Sequence, residues 1–346
     1  MRRFFKVFIF AVAGLLAACV PLRAETANAV PDFKQVYELL RANLAGMSEA
    51  QLNSAAVAGL LKELHGRAIL IGGPAKRTST QNEPELIRSE ILEGSVVYLR
   101  VGEIGEGLSD QLTAAYHRLT ATNKIAGVAL DLRFAGGTDY AAAAATADLF
   151  VTKKIPLLKW DNHVEESHPA QKPISGPLLV LVNGGTTGAA EALAAALREA
   201  DAGLIIGDTT AGLALTMQDF PLKNGECLRI ATNPVRLGNG ATISRVSPDI
   251  KVAVSREDER EYLKNPYAKL DQGERSSTTD TNNFLAFVDH TSEADLVRQK
   301  LKNGEDTGAT APPRNARPQK PVIQDPVLAR ALDLIKGLAI VREDRF

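Results

Sequence analysis

Two hydroxyls, a carboxylate and a set of glycines crowd the middle of this 346-residue chain. Thr186 and Thr187 precede Gly188 at the start of an alanine-rich run, and Glu191 follows three residues later. A hydroxyl at a helix N-terminus can act as a nucleophile, but it needs a base, and no lysine or histidine stands near these two threonines in sequence. The same pair also reads as ordinary helix N-caps. Glu191 can brace that N-terminus, where the helix dipole favours a carboxylate. Asp131 and Arg133 close an apolar run just before Gly136 and Gly137, and are expected to hold the loop after their strand rather than to move protons. His163 and His168 share a polar segment without an acidic ligand pattern, and read as solvated loop residues. Cys19 and Cys227 are the only cysteines, which leaves no cysteine metal framework and, if Cys19 is modified or removed, no internal disulfide. Cys227 reads as core packing within a strand. No cofactor and no metal is expected.

The elements that must position these residues follow from periodicity. Phe33, Val36, Tyr37, Leu40 and Leu44 recur at helical spacing behind Asp32 as N-cap. Ser48 and Gln51 form a capping box before a second helix through Leu52, Ala56, Leu60 and Leu64, with Gly66 as its stop. Ala68 to Ile71 reads as a strand and Gly72 to Arg88 as a loop. Strands at Val96 to Val101, Gly127 to Leu132, Leu178 to Val182 and Leu204 to Ile206 alternate with helices at Ser109 to Leu119, Tyr140 to Phe150 and Thr187 to Ala200. That alternation predicts parallel strands with helices on their faces, and the continuous apolar runs predict burial on both sides. After Asp219, turns at Lys223-Asn224-Gly225 and Gly238-Asn239-Gly240 predict antiparallel pairing. Ser255 to Asn265 reads as a charged helix, Gly273 to Asn283 as a polar loop, Asn303 to Gln324 as disordered. A last amphipathic helix begins at Asp325-Pro326.

A net charge of -1 and 5% aromatic residues argue against a nucleic-acid partner. The N-terminus carries an address. Arg2, Arg3 and Lys6 precede an apolar run from Val7 to Val20, too short to span a bilayer as a helix and suited to an export signal. Two processing sites compete. Leu16-Ala17-Ala18-Cys19 has the form of a lipobox, which implies a lipid on Cys19 and membrane attachment through it. Ala27-Asn28-Ala29 suits ordinary signal peptidase.

Three ordered segments carry a resemblance. The first is Gly127 to Gly137 (GVALDLRFAGG). The second is Gly176 to Asn183, followed by Glu191 and by Ile206 to Gly212 (IGDTTAG). The third is Ser247-Pro248-Asp249-Ile250. Together they resemble the C-terminal processing (tail-specific) serine peptidases, with their DLRxNxGG strand end, SASASE helix, GExTxGKG loop and closing PDI. The resemblance implies an α/β fold with a ClpP/crotonase-like spiral core of mixed, mainly parallel sheet, flanking helices and an N-terminal helical segment. It also implies serine–lysine endoproteolysis of protein C-termini, with backbone N–H groups stabilising the oxyanion. By that motif, Gly136, Gly137 and Gly188 are the candidate donors to an oxyanion or a peptide carboxylate.

The departures are specific. Counting back from Glu191 puts Gly188 at the family's nucleophile position, and counting forward puts Leu213 at its lysine position. No serine occurs from Gly176 to Ile243 and no lysine from Pro173 to Leu222, so no shift of register recovers the dyad. A glutamine found in some members falls at Met217, with Gln218 one place late. The loop after Arg133 is one residue short and lacks the family's asparagine. Between Gly66 and Glu90 there is no room for the family's PDZ insertion.

The expected organisation is a signal over 1–29, a helical segment over 30–66, a peptidase-like core over 88–255, a helical and polar extension over 256–302, a linker over 303–324 and a closing helix over 325–346. The leading expectation is an exported pseudopeptidase that binds protein or peptide C-termini, or a protein partner, without cutting. Alternatives are an active serine-type peptidase with an atypical nucleophile such as Thr187, a crotonase-like thioester enzyme and a structural envelope protein. The sequence is silent on oligomeric state.

Overall fold

The structure, a computed structural model, describes residues 30–72, 85–168, 174–270 and 322–343. The export signal, the lipobox at Cys19, most of the loop expected between Gly72 and Arg88, the polar loop from Gly273 and most of the segment from Asn303 lie outside the described residues. The chain divides into two units, residues 1–63 and 64–346.

In the first unit, α1 (Phe33–Asn43) starts where Asp32 accepts a hydrogen bond from the Gln35 N–H at 2.8 Å. Its partner α2 (Glu49–Glu63) is opened by the Ser48–Gln51 box, with the Ser48 N–H donating to Gln51 Oε1 at 2.9 Å. The Tyr37 hydroxyl donates to Asn53 Oδ1 and joins the two helices, and Leu52 is buried.

The second unit is organised around a six-stranded sheet. Its strands are β2 (Leu86–Leu92), β3 (Val96–Val101), β4 (Gly127–Asp131), β7 (Leu178–Val182), β8 (Leu204–Gly207) and β12 (Ile250–Lys251), in the order β12-β8-β7-β4-β3-β2. All neighbours are parallel except β2 and β3. Those two are joined through Glu93 and Gly94, both at positive φ (48° and 80°), as a tight turn matched to strand twist requires. The loop expectation therefore ran too far: β2 begins at Leu86. Its half-exposed residues lack the clean alternation that marks a strand.

The apolar runs serve two layers, as period two dictates. Val97, Leu99, Val128, Leu130, Val180 and Val182 face α3 (Leu108–Thr120), α4 (Tyr140–Asp148) and α5 (Ala189–Glu199). Tyr98, Ala129, Leu179, Leu181 and Ile206 face the closing helix α7 (Pro326–Glu343) through Val327, Leu328, Leu332 and Ile335. Alanines let α4 and α5 lie close to the sheet, and every residue from Ala189 to Leu197 is buried.

Two small antiparallel sheets flank this core. One has the order β1-β10-β9, from β1 (Ala68–Ile71), β9 (Leu215–Pro221) and β10 (Cys227–Pro234). The other has β11 (Arg236–Leu237), β5 (Pro156–Trp160) and β6 (His163–Glu166) in the order β11-β5-β6. The β5–β6 hairpin corrects the loop reading of His163, which lies in a strand and stacks on Trp160 with ring centroids 5.7 Å apart; His168 is exposed beyond it. Cys227 is only half-buried at the start of β10, so it is not core packing. The charged helix α6 (Arg256–Lys264) is capped by Ser255, which accepts from the Asp258 N–H. No helix among the described residues is long and apolar enough to cross a membrane.

Candidate active site

The site is built where β4 and β7 end and α5 begins. The structure brings Gly188 and Leu213 together on one carboxylate. Glu191, fully buried, accepts at Oε2 from the Gly188 N–H (3.0 Å) and the Leu213 N–H (2.6 Å). At Oε1 it accepts from the Gly212 N–H (2.6 Å) and the Thr210 hydroxyl (2.5 Å). Four donors converge on a side chain one turn into α5, where the dipole also favours its charge.

The capping residue is Gly188, not the threonine pair. Thr186 is buried, with its hydroxyl donating to the Leu132 carbonyl at 2.8 Å and accepting from the Asn183 N–H at 3.0 Å. It ties the β7 loop to the end of β4 and has no proton to spare for chemistry. Thr187 is half-buried, and its Oγ1 lies 3.1 Å from where a Cβ on Gly136 would stand.

Gly188 adopts φ +58°, and a Cβ there would meet the Gly137 carbonyl oxygen at 2.3 Å. That carbonyl is held in place by the Ala189 N–H at 2.9 Å. Any side chain at 188 therefore needs the Gly137 peptide to move. Gly188→Ala is expected to cost about 2–3 kcal/mol, from strain and overpacking together; urea denaturation measures it, and a loss near zero would mean that the peptide swings freely. Two of the three candidate backbone donors are also committed. The Gly136 N–H donates to the Gly102 carbonyl at 3.2 Å, and the Gly188 N–H is the one taken by Glu191. Gly137 sits at φ +119° against the Ile104 backbone.

Behind the site lies a buried ionic knot. Arg133 donates through Nε and Nη2 to Asp131 (3.0 and 2.7 Å) and through Nη1 and Nη2 to Asp325 (3.2 and 2.8 Å). Tyr98 adds a hydroxyl donor to Asp131 at 2.8 Å. Burial pushes the Asp131 carboxyl up, but the Arg133 charge and hydrogen bonds outweigh it and hold the group below its ordinary value. Burial first, then the Asp131 charge, pushes the Tyr98 phenol well up.

Asn183, 2% exposed, connects α6 to the site loops. Its Oδ1 accepts from the Phe134 N–H (3.1 Å) and the Gly185 N–H (2.9 Å), and its Nδ2 donates to Glu259 of α6 at 2.7 Å. Phe134 takes φ 60° in the shortened loop. The Arg256 and Arg260 guanidiniums both lie over its ring, 5.7 and 5.3 Å from the centroid. Sequence reasoning singled out neither Asn183, Phe134, Thr210 nor Glu259 as a partner of the site. A polar cavity of about 510 Å³ opens one residue past Gly137 and three past Leu213, lined by Thr138, Tyr140, Trp160, Thr216, Gln218 and Arg229 among others. Among the described residues no group of His, Cys, Asp and Glu side chains could hold a metal ion.

Residues 95–252 match the model of peptidase family S41. The carboxy-terminal processing protease CtpA of Bacillus subtilis is 28% identical over 204 residues, 57% of this chain and 42% of that protein. The chloroplastic C-terminal processing peptidase of Tetradesmus obliquus is 31% identical over 152 residues, 42% of this chain and 33% of that protein. The matches span less than half the length of these curated relatives. Among solved structures, a peptidase candidate from Parabacteroides merdae ATCC 43184 superposes with TM-score 0.50 at 18% identity, over 67% of this chain and 85% of that one. The mixed, mainly parallel sheet with its flanking helices is consistent with a ClpP/crotonase-like spiral core.

Proposed function

Residues 95–252 being a peptidase family S41 domain, we propose that this protein is an exported homologue of tail-specific serine endopeptidases that binds protein tails or a protein partner without cutting them. The observation that supports this reading is that Gly188 and Leu213, where the family's motif would put its nucleophile and lysine, hold their N–H groups on one oxygen of Glu191. A serine-type acyl transfer needs a nucleophile and a base that takes its proton. Glycine and leucine supply neither, and the Gly137 carbonyl fills the space a nucleophile's Cβ would need. The committed Gly136 and Gly188 N–H groups weaken the case for a carboxylate held at the oxyanion position itself. Support for binding comes instead from the adjoining polar cavity. Its wall is fixed by the Tyr140 hydroxyl, which donates to the Leu215 carbonyl at 2.8 Å. Export, and a lipid on Cys19, rest on the N-terminal pattern of Arg2, Arg3, Lys6 and the apolar run that ends at the lipobox.

Incubation of the mature protein with unfolded substrates ending in apolar tails tests the reading. Tail peptides are expected to bind without turnover, and Thr187→Ala is expected to change nothing. Turnover that disappears in Thr187→Ala would replace the pseudopeptidase with a threonine-dependent enzyme. The double variant Gly188→Ser/Leu213→Lys is expected to remain without turnover, because the new serine Cβ collides with the Gly137 carbonyl. Labelled palmitate that still enters Cys19→Ser would remove the lipid from the proposal.

A further inference from the structure

Glu259 sits in a helix whose sequence, REDEREYLK, is almost wholly charged, yet it is only 5% exposed. Buried carboxylates are rare unless paired with a cation. Among the described residues it has no ion pair of its own: its hydrogen-bond partner is the neutral amide of Asn183, at 2.7 Å. The cation whose charge acts on it, Arg133, already holds Asp131 and Asp325. Three carboxyl groups therefore surround a single guanidinium. If all three ionise, the buried cluster carries two uncompensated negative charges; with a proton on Glu259 it carries one.

The other charged groups packed around α6 have contacts of their own, though the Arg100 Nε is buried without a hydrogen-bond partner among the described residues. Arg256 and Arg260 lie over the Phe134 ring. Arg100 of β3 donates to the Leu263 carbonyl at 2.9 Å, and the Tyr98 hydroxyl is spent on Asp131. Tyr262 on α6 titrates at the alkaline end, pushed up by burial and then by Asp258 and Asp325.

The consequence of the charge falls on the site. Asn183 is the joint between α6 and both site loops, because its other end receives the Phe134 and Gly185 N–H groups. Those loops carry Gly136 and Gly137 on one side and Thr186 to Gly188 on the other. We propose that Glu259 is a proton-operated latch: neutral, it docks α6 onto the two loops through Asn183, and ionised, it releases them. Burial, ahead of every other influence, raises its carboxyl to about 7, which sets the range in which the latch works. The folded carboxyl titrates higher than the unfolded one, so the docked form binds the extra proton. Its stability is full below the unfolded value of about 4.3 and is lost as pH rises through about 7. This inference does not depend on whether the protein cuts or binds peptides.

Hydrogen–deuterium exchange of the full chain, corrected for intrinsic rates, provides the test. Between about pH 6 and about pH 8.5, protection of α6 and of residues 183–188 is expected to fall on the order of tenfold, while β7 keeps its protection. Glu259→Gln keeps an acceptor and a similar shape, and is expected to hold the acid level of protection at both pH values. Protection of α6 that is flat with pH in the natural protein overturns the latch, as does an equal alkaline loss in Glu259→Gln. Unchanged circular dichroism in the variant separates a released helix from an unfolded chain, and loss of the fold at either pH also counts against the proposal.

Discussion

Arg133→Met is expected to lower stability by about 3–5 kcal/mol at neutral pH, because it leaves Asp131 and Asp325 buried without their cation. Both carboxylates and the guanidinium are at most 1% exposed, so water cannot take over. The sign of the pH dependence makes the test specific. In the natural protein Asp131 is held below its ordinary value, so its contribution is present at neutral pH and lost as pH falls through its folded value. In the variant Asp131 is buried without its cation, its folded value rises, and the folded chain binds more protons than the unfolded one. Stability then grows as pH falls, and the deficit against the natural protein shrinks on acidification. Urea unfolding at about pH 5.5 and about pH 7.5 reads this directly; equal deficits at the two values would show that the knot contributes packing rather than charge. Arg133→Lys is expected to recover only part of the loss, since an ammonium cannot grip two carboxylates as a fork does.

Glu191→Ala is expected to cost about 4 kcal/mol, since it strands three backbone N–H groups and the Thr210 hydroxyl in a buried site. The damage should spread along the chain. Thr210 also accepts from the Val246 N–H at 2.9 Å, so the loop after β8 and the segment before β12 lose their common anchor. Glu191→Gln retains the shape but turns an NH2 toward two of the donors, and is expected to lose roughly 2–3 kcal/mol. Denaturant midpoints rank the two variants. A Glu191→Gln as costly as Glu191→Ala would mean that the charge matters and the shape does not.

The parts of this architecture that were legible in the sequence are those where one force dominates. Leu178 to Val182 was read to the residue because an unbroken apolar run lies between Gly176-Pro177 and Asn183-Gly184. The N-cap of α1 and the capping box of α2 were equally plain, since Asp32 and Ser48 have few other uses at those places. The start of α5 was misread by two residues. Thr186 and Thr187 look like caps, but Thr186 reaches across to Leu132, and a glycine with Glu191 three residues later does the capping. The strands β2 and β6 escaped because they lie half-exposed at sheet edges, where polar residues are tolerated and alternation fades, and β5, central in its small sheet, because five residues from Pro156 to Trp160 are too few to show a period. Gly188 and Leu213 were found by counting along a motif, but that they meet on one carboxylate is a fact of the fold. Glu259 was invisible: nothing in a helix of nine mostly charged residues marks the one whose carboxylate faces inward.

The ion pair between Arg133 and Asp325 joins residues 192 positions apart. During synthesis, one face of the central sheet, with Tyr98, Ala129, Leu179, Leu181 and Ile206, is complete long before α7 emerges to cover it. Until then the sheet presents an apolar face and a half-formed knot with one carboxylate missing. Such a chain folds its first layer early and waits for its last helix, and a partly made sheet face of this kind is what chaperones hold and what aggregates when they do not. The order in which the ribosome delivers these residues thus assigns α7 a second role, as the element that ends the vulnerable period of the protein's assembly.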